Sequence, residues 1–120
     1  MLGKGTNTLY SNKIGIAFQW QKTTNCRRNS NTINVLFNNM GFRFDIVELK
    51  VFLQDIEFSL SKPIECKGDN PKDCQSMILE TPLSQLSLAM SYNELLLMKD
   101  LVAGTLFELE LASILNKIVQ

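Results

Sequence analysis

Apolar and polar residues alternate in several short stretches of the chain, a pattern typical of strands with one buried face. The first stretch is 14–20 and the second is 33–37. The turn residues 38–41 follow the second stretch, and Gly41 among them can take a positive φ angle. Phe42 and Phe44 then point inward from a short third strand, so three antiparallel strands are predicted. The first stretch carries its large apolar residues at every second position, and we expect helices to cover that face: Ile14, Ile16, Phe18 and Trp20.

A strand that leads into a capped helix occurs twice, 46 residues apart. In this alignment Asp45 corresponds to Ser91, and Glu48 corresponds to Glu94. Both pairs have the capping-box spacing, in which the cap side chain accepts an amide proton and the glutamate reaches back to the cap amide. We therefore expect helices to begin after Asp45 and Ser91. The first should end near residues 58–60 and lay one apolar stripe on the sheet: Ile46, Leu49, Phe52, Leu53 and Ile56.

The second helix is predicted to run from about Tyr92 to Val119, which is long for a small domain. It is apolar nearly all round and therefore needs cover on more than one side. We expect a second copy of the chain to provide that cover, because two-fold dimers are the commonest soluble assembly. The alternative is a kink near Gly104 that divides the helix. Three stripes run along it: the candidate dimer interface Leu95, Met98, Val102, Leu106 and Leu109; a second stripe of Leu96, Ala103, Phe107, Ile114 and Ile118; and a third of Leu97, Leu101, Ala112, Leu115 and Val119.

These patterns predict an α+β fold: an antiparallel sheet built from two ββα-like repeats, with two helices on one face and the C-terminal helix long. The length of 120 residues fits one domain, 1–120, with one hydrophobic core. Repeat one spans about 30–60 and repeat two about 76–119. The stretch 61–75, which contains two prolines and a glycine, is predicted to be the loop that links them.

The net charge is zero, but the two halves of the chain differ. Seven Lys and Arg residues stand against two acids up to Gln54, so the acids are concentrated in the remainder. Such asymmetry is typical of a face that binds polyanions, or of contacts between copies of one chain. Stacking of bases on Phe18 and Trp20 is disfavoured because we expect both rings to be buried. The candidate anion-binding residues are Lys22, Arg27, Arg28 and Arg43.

The candidate chemistry is sparse, because the chain contains no histidine. The commonest general base and the commonest metal ligand are therefore missing. Cys26, Cys66 and Cys74 lack the paired spacing of structural zinc sites, and their odd number favours reduced thiols. We expect no catalytic residues, no metal and no cofactor. No secretion signal or membrane span is evident, so the sequence indicates a soluble cytoplasmic protein without a membrane partner.

The run 86–95 and the Leu9-Tyr10 pair near the start resemble a small bacterial family known only as a domain of unknown function. The resemblance extends from about Thr8 to Leu115. Members of that family often carry a close cysteine pair in the first hairpin, where this chain has only Cys26. The resemblance implies a fold with two strand-strand-helix repeats and implies no activity.

The leading hypothesis is a non-enzymatic, self-associating interaction or regulatory module that forms a homodimer. The first alternative is a nucleic-acid-binding module that uses the basic N-terminal half. The second is a small-molecule-binding or enzymatic domain with its site at a dimer seam.

Overall fold

The computed structural model describes residues 5–21, 31–64, 68 and 70–119. The prediction of an α+β fold with a long C-terminal helix is confirmed, and both helices lie within one or two residues of their predicted bounds. In chain order the elements are β1 (Thr6–Ser11), β2 (Gly15–Trp20), β3 (Ile33–Phe37), β4 (Met40–Phe44), α1 (Ile46–Leu60), a 3₁₀ turn (Pro71–Asp73), β5 (Met77–Glu80), β6 (Ser87–Met90) and α2 (Tyr92–Val119).

The first four strands form one antiparallel sheet in the order β1-β2-β3-β4, rather than the three strands expected. The sequence pattern does not reveal strand β1, because this strand lacks regular alternation. Its register against β2 shifts between Thr8 and Tyr10, as in a β-bulge, and the adjacent residues Leu9 and Tyr10 both pack against the core. A bulge breaks the period of two by which a strand is recognised in a sequence.

The facing of β2 is the reverse of that expected. Ala17 pairs with Val35 and is fully buried in the core, whereas Phe18 pairs with Asn34 on the opposite face of the sheet. Small residues therefore face the helices on this strand, and the large ones, including Trp20, lie on the other side. Because side chains alternate along a strand, an error of one residue in facing moves Ile16, Phe18 and Trp20 to the wrong face. Ile14 precedes the strand and packs against the core as expected.

The β3–β4 hairpin brings several phenylalanines together on the helix side of the sheet. Its turn uses Asn38, whose φ angle is +52°, so the left-handed residue is Asn38 rather than the expected Gly41. The ring of Phe44 stacks on Phe52 of α1 with centroids 5.1 Å apart, and Phe42 stacks on Phe37 at 5.5 Å. The contact of Phe44 with Phe52 packs α1 on β4.

Both helices begin with the predicted capping boxes. Asp45 Oδ1 accepts from the Glu48 amide at 2.7 Å, and the Asp45 amide donates to Glu48 Oε1 at 2.9 Å. At the second box, Ser91 Oγ accepts from the Glu94 amide at 3.1 Å, and the Ser91 amide donates to Glu94 Oε1 at 2.9 Å. Each helix start therefore has two of its orphan amide protons satisfied.

Strands β5 and β6 form a separate two-stranded antiparallel sheet rather than extending the first one. Their inward residues, among them Leu79 and Met90, join the same core as the four-stranded sheet. Ser59 of α1 donates its hydroxyl proton to the Ile78 carbonyl at 2.8 Å, which attaches α1 to β5. The order strand-strand-helix occurs at 33–60 and again at 77–119, and a common origin of the two units stays a prediction.

Helix α2 is continuous through Gly104, so the alternative that a kink there divides it into two shorter helices is wrong. Its 28 residues give a length of about 42 Å. The chain measures 54 × 29 × 26 Å along its principal axes, so the helix is longer than either short dimension. Part of α2 therefore extends past the elements on which the rest of it packs.

Candidate interaction surface

The two helices lie side by side and run in opposite directions. Oε2 of Glu57, near the end of α1, lies 3.9 Å from Nζ of Lys99 in the first half of α2. At the other end, Ile46 and Lys50 at the start of α1 line a groove of about 300 Å³ with α2 residues from Leu106 to Ser113. The last turns of α2, after Ser113, therefore lie beyond the beginning of α1.

The candidate dimer interface lies mainly inside the single chain. Leu95, Met98 and Val102 are fully buried in the core, and Leu106 and Leu109 are partly buried and pack against it. The assignment is therefore wrong for the first three, since this stripe is the one that covers the sheet. On α1, Leu49, Phe52 and Ile56 are fully buried as expected, whereas Ile46 is exposed.

Strand β1 is attached to α2 by polar contacts that the sequence pattern does not reveal. The Tyr10 hydroxyl lies 3.0 and 3.1 Å from the two carboxylate oxygens of Asp100. Asn12 Nδ2 donates to the Leu97 carbonyl at 2.8 Å and to Asp100 Oδ2 at 3.0 Å. Asn12 Oδ1 also accepts from the Ile14 amide at 3.0 Å, so one side chain shapes the β1–β2 turn and holds it to α2.

The hydrogen bond to Asp100 raises the pKa of the Tyr10 hydroxyl above its ordinary value of 10.0. Desolvation and the negative charges of Asp100 and Glu108 act in the same direction. Each favours the neutral phenol over the phenolate. The neutral Tyr10 hydroxyl therefore donates a hydrogen bond to Asp100 of α2 at neutral pH.

The C-terminal half of α2 carries large apolar side chains on its exposed surface. Phe107 is 62% exposed and Ile118 is 73% exposed. On a helical wheel with about 100° per residue, Phe107, Leu111 and Ile114 lie opposite the buried stripe. We call this set the outward stripe: Phe107, Leu111, Ile114 and Ile118, with Leu115 exposed beside it.

Helix α1 also has apolar side chains on its outer side, and the exposure of Phe58 is 64%. Val47 and Val51 are exposed on the same side of that helix. The helix layer thus buries one face on the sheets and presents apolar side chains on the other. Isolated exposed apolar residues are ordinary, but a continuous stripe on a protruding helix is typical of an interaction surface.

Of the four candidate anion-binding residues, the structure describes only Arg43, because Lys22, Arg27 and Arg28 lie outside the described residues. Arg43 is exposed on β4 and pairs with Asn34, on the sheet face opposite the helices. Phe18 lies on that face too but is only 5% exposed, and its ring contacts Trp20 edge-on with centroids 5.4 Å apart. The four cations are therefore not shown to converge on one site.

Cys74 takes part in a disulfide bond, so the expectation of reduced thiols is wrong for this residue. Cys26 and Cys66 lie outside the described residues. A disulfide is more typical of oxidising compartments, so it does not favour the predicted cytoplasmic location.

Within the part of the chain that the structure describes, no group of three His, Cys, Asp or Glu side chains is placed to hold a metal ion. In the same residues, no helix combines the length and the apolar character needed to cross a membrane. A concave site of about 400 Å³ lies between β4 and the β5–β6 turn. Arg43 and Glu48 are its charged lining residues, and both are exposed.

Comparison of the chain with protein-family models, with curated proteins and with solved structures gives no match in any of the three. The resemblance to an uncharacterised bacterial family therefore stays a prediction.

Proposed function

We propose that the protein is a non-enzymatic interaction module that associates with a second copy of itself through the C-terminal half of α2. The observation that carries the proposal is the outward stripe, in which Phe107 and Ile118 expose most of their side chains to solvent on a helix that extends past its packing partners. Burial of such side chains contributes roughly 1.5–3 kcal/mol each when they become fully covered.

This surface differs from the interface expected from the sequence. The stripe of Leu95, Met98 and Val102 is already used within the chain, which leaves the stripe of Phe107, Ile114 and Ile118 for a partner. Replacing Leu106 by aspartate would therefore not test association, because Leu106 packs against the core and the change would also destabilise the fold.

The decisive experiment is sedimentation velocity over a range of protein concentrations with the variant Phe107→Asp. The wild type is expected to shift from monomer to dimer as its concentration rises, and Phe107→Asp is expected to stay monomeric because a charge would enter the apolar contact. Phe58→Asp is the matched control, since Phe58 is 64% exposed and also lies on the outer side of a helix. A wild type that remains monomeric at every concentration, or equal loss of dimer in both variants, would refute the proposal.

A second candidate function is nucleic-acid binding by the sheet face opposite the helices. It is favoured by the facing of β2, which puts Phe18 and Trp20 on that side of the sheet together with Arg43. On the same face, the side-chain amide nitrogen of Asn34 is buried and lacks a hydrogen-bond partner among the described residues.

The low exposure of Phe18 disfavours base stacking unless this face opens. Binding to a single-stranded oligonucleotide, measured by fluorescence anisotropy, should weaken steeply with salt if phosphate contacts supply the affinity. Arg43→Ala should then reduce the slope, with Lys13→Ala as a control at an exposed position.

A further inference from the structure

We infer that two copies of the chain pair through antiparallel α2 helices, with Glu110 of each copy facing Lys117 of the other. This inference rests on the proposed function and adds to it the geometry of the contact. It is argued from the spacing of the outward stripe and from the charges that flank it.

The outward stripe has the spacing of a coiled-coil seam. Phe107, Leu111, Ile114 and Ile118 follow one another at intervals of four, three and four residues. Alternating intervals of three and four keep apolar residues on one side of a helix and let them interlock with a second helix. An antiparallel pair with this pattern places Phe107 opposite Ile118 of the second copy, and Leu111 opposite Ile114.

The flanking charges distinguish the two possible orientations. Glu110 and Lys117 are seven residues apart and therefore lie on the same side of the stripe. In an antiparallel pair each glutamate faces a lysine of the other copy, and two opposite-charge contacts form. In a parallel pair the position that faces Glu110 is Leu115 of the other copy, so Glu110 gains no opposite-charge contact. The charge pattern is therefore self-complementary in the antiparallel orientation alone.

The shape of the chain fits the same arrangement. The last turns of α2 extend beyond the start of α1, as the groove from Ile46 to Ser113 shows. Two such ends that overlap in opposite directions keep the bodies of the two copies at opposite ends of the pair. A parallel pair would bring the two bodies side by side along the whole helix.

The exposed area suits a reversible dimer. The five side chains of this region are roughly half exposed, and together they present on the order of 400–500 Å² of apolar surface. A standard stable interface covers about 800 Å² on each partner. The apolar contact alone is therefore small for a permanent dimer, and the flanking charges should have a measurable effect on its dissociation constant.

Charge reversal tests the geometry. Glu110→Lys and Lys117→Glu should each weaken the dimer roughly threefold to tenfold at low salt, because each variant opposes like charges. The double variant should restore the dissociation constant to about the wild-type value. The measurement is sedimentation equilibrium, with circular dichroism to show that each variant is folded. Glu80→Lys, at an exposed position of β5, controls for the change in net charge.

The outcomes separate this inference from the proposal on which it rests. If the wild type dimerises but the single reversals leave the dissociation constant unchanged, the antiparallel pairing is wrong and self-association stands. If the single reversals weaken the dimer and the double variant does not recover, the pairing of Glu110 with Lys117 is wrong. If the wild type stays monomeric at every concentration, both the inference and the proposed function fail.

Discussion

The ring of Tyr10 lies directly on the backbone of Gly104. A Cβ atom at position 104 would be 2.7 Å from three atoms of that ring, closer than any side chain tolerates. The ring cannot move aside freely, because its hydroxyl is bonded to Asp100 one turn earlier on α2. The glycine therefore permits a strand of the sheet to approach the helix, rather than allowing the helix to bend.

This contact predicts that the effect of Gly104→Ala depends on Tyr10. In a Tyr10→Ala background the substitution should stabilise the protein by about 1 kcal/mol, the usual gain of alanine over glycine in a helix. In the wild-type background it should displace the ring, weaken the bond to Asp100 and lose that gain. Urea denaturation of the four proteins of this cycle measures the difference. Equal effects in both backgrounds would show that the ring does not lie on Gly104 in solution.

The same contact predicts how Tyr10 titrates. Tyr92→Phe leaves Tyr10 as the remaining tyrosine, whose ionisation is followed by the absorbance of tyrosinate. The pKa of Tyr10 should be above 10.0. It should fall in Asp100→Asn, because this change removes the carboxylate whose hydrogen bond is the largest cause of the raised pKa. Because folding raises this pKa, the contribution of the Tyr10 hydroxyl to stability is fully present below pH 10. It is lost as the pH rises through the pKa of Tyr10 in the folded state. An unchanged titration in Asp100→Asn would contradict the hydrogen bond.

The sequence predicts the elements better than it predicts their contacts. Both capping boxes and the bounds of α2 could be predicted because they depend on residues close together in the chain. The facing of β2 could not, because alternation shows that one face has large side chains and the other small ones, and it does not show which face the helices cover. Here the helices cover the face with Ala17, since small residues let α2 approach the sheet.

The candidate interaction surface could likewise be predicted only in part. The sequence indicates that α2 has more apolar stripes than one sheet can cover, and the structure bears this out. Choosing the stripe that stays free requires knowing where α1 and β1 lie, and Asn12 and Tyr10 set that position through contacts about 90 residues away along the chain. The bulge in β1 interrupts the alternation that would reveal this strand, so the sequence carries no local signal for those contacts.

Ser91 supports a specific prediction on the stability of α2. Ser91→Ala should lower the free energy of unfolding by about 1 kcal/mol, since it removes the acceptor of the Glu94 amide proton. Ser84→Ala, in the exposed β5–β6 turn, is the control and should have little effect. Both are measured by urea denaturation. If the two variants lose the same amount, the cap at Ser91 does not stabilise the helix.

Asp55 is expected to destabilise the folded chain at neutral pH. Desolvation on α1 raises the pKa of its carboxyl above 3.8, and the negative charge of Glu80 adds to this shift. Because folding raises this pKa, the contribution of the Asp55 carboxyl to stability is complete below pH 3.8. It is lost as the pH rises through the pKa of the folded state, because the folded chain disfavours the charged carboxylate. Asp55→Asn should therefore raise the melting temperature at pH 7 and leave it unchanged below pH 3.8. Glu80→Gln should give a smaller increase at pH 7, since Glu80 is the lesser cause. Melting curves from pH 3 to pH 8 test this, and a decrease in melting temperature for Asp55→Asn at pH 7 would show that the charged carboxylate stabilises the fold.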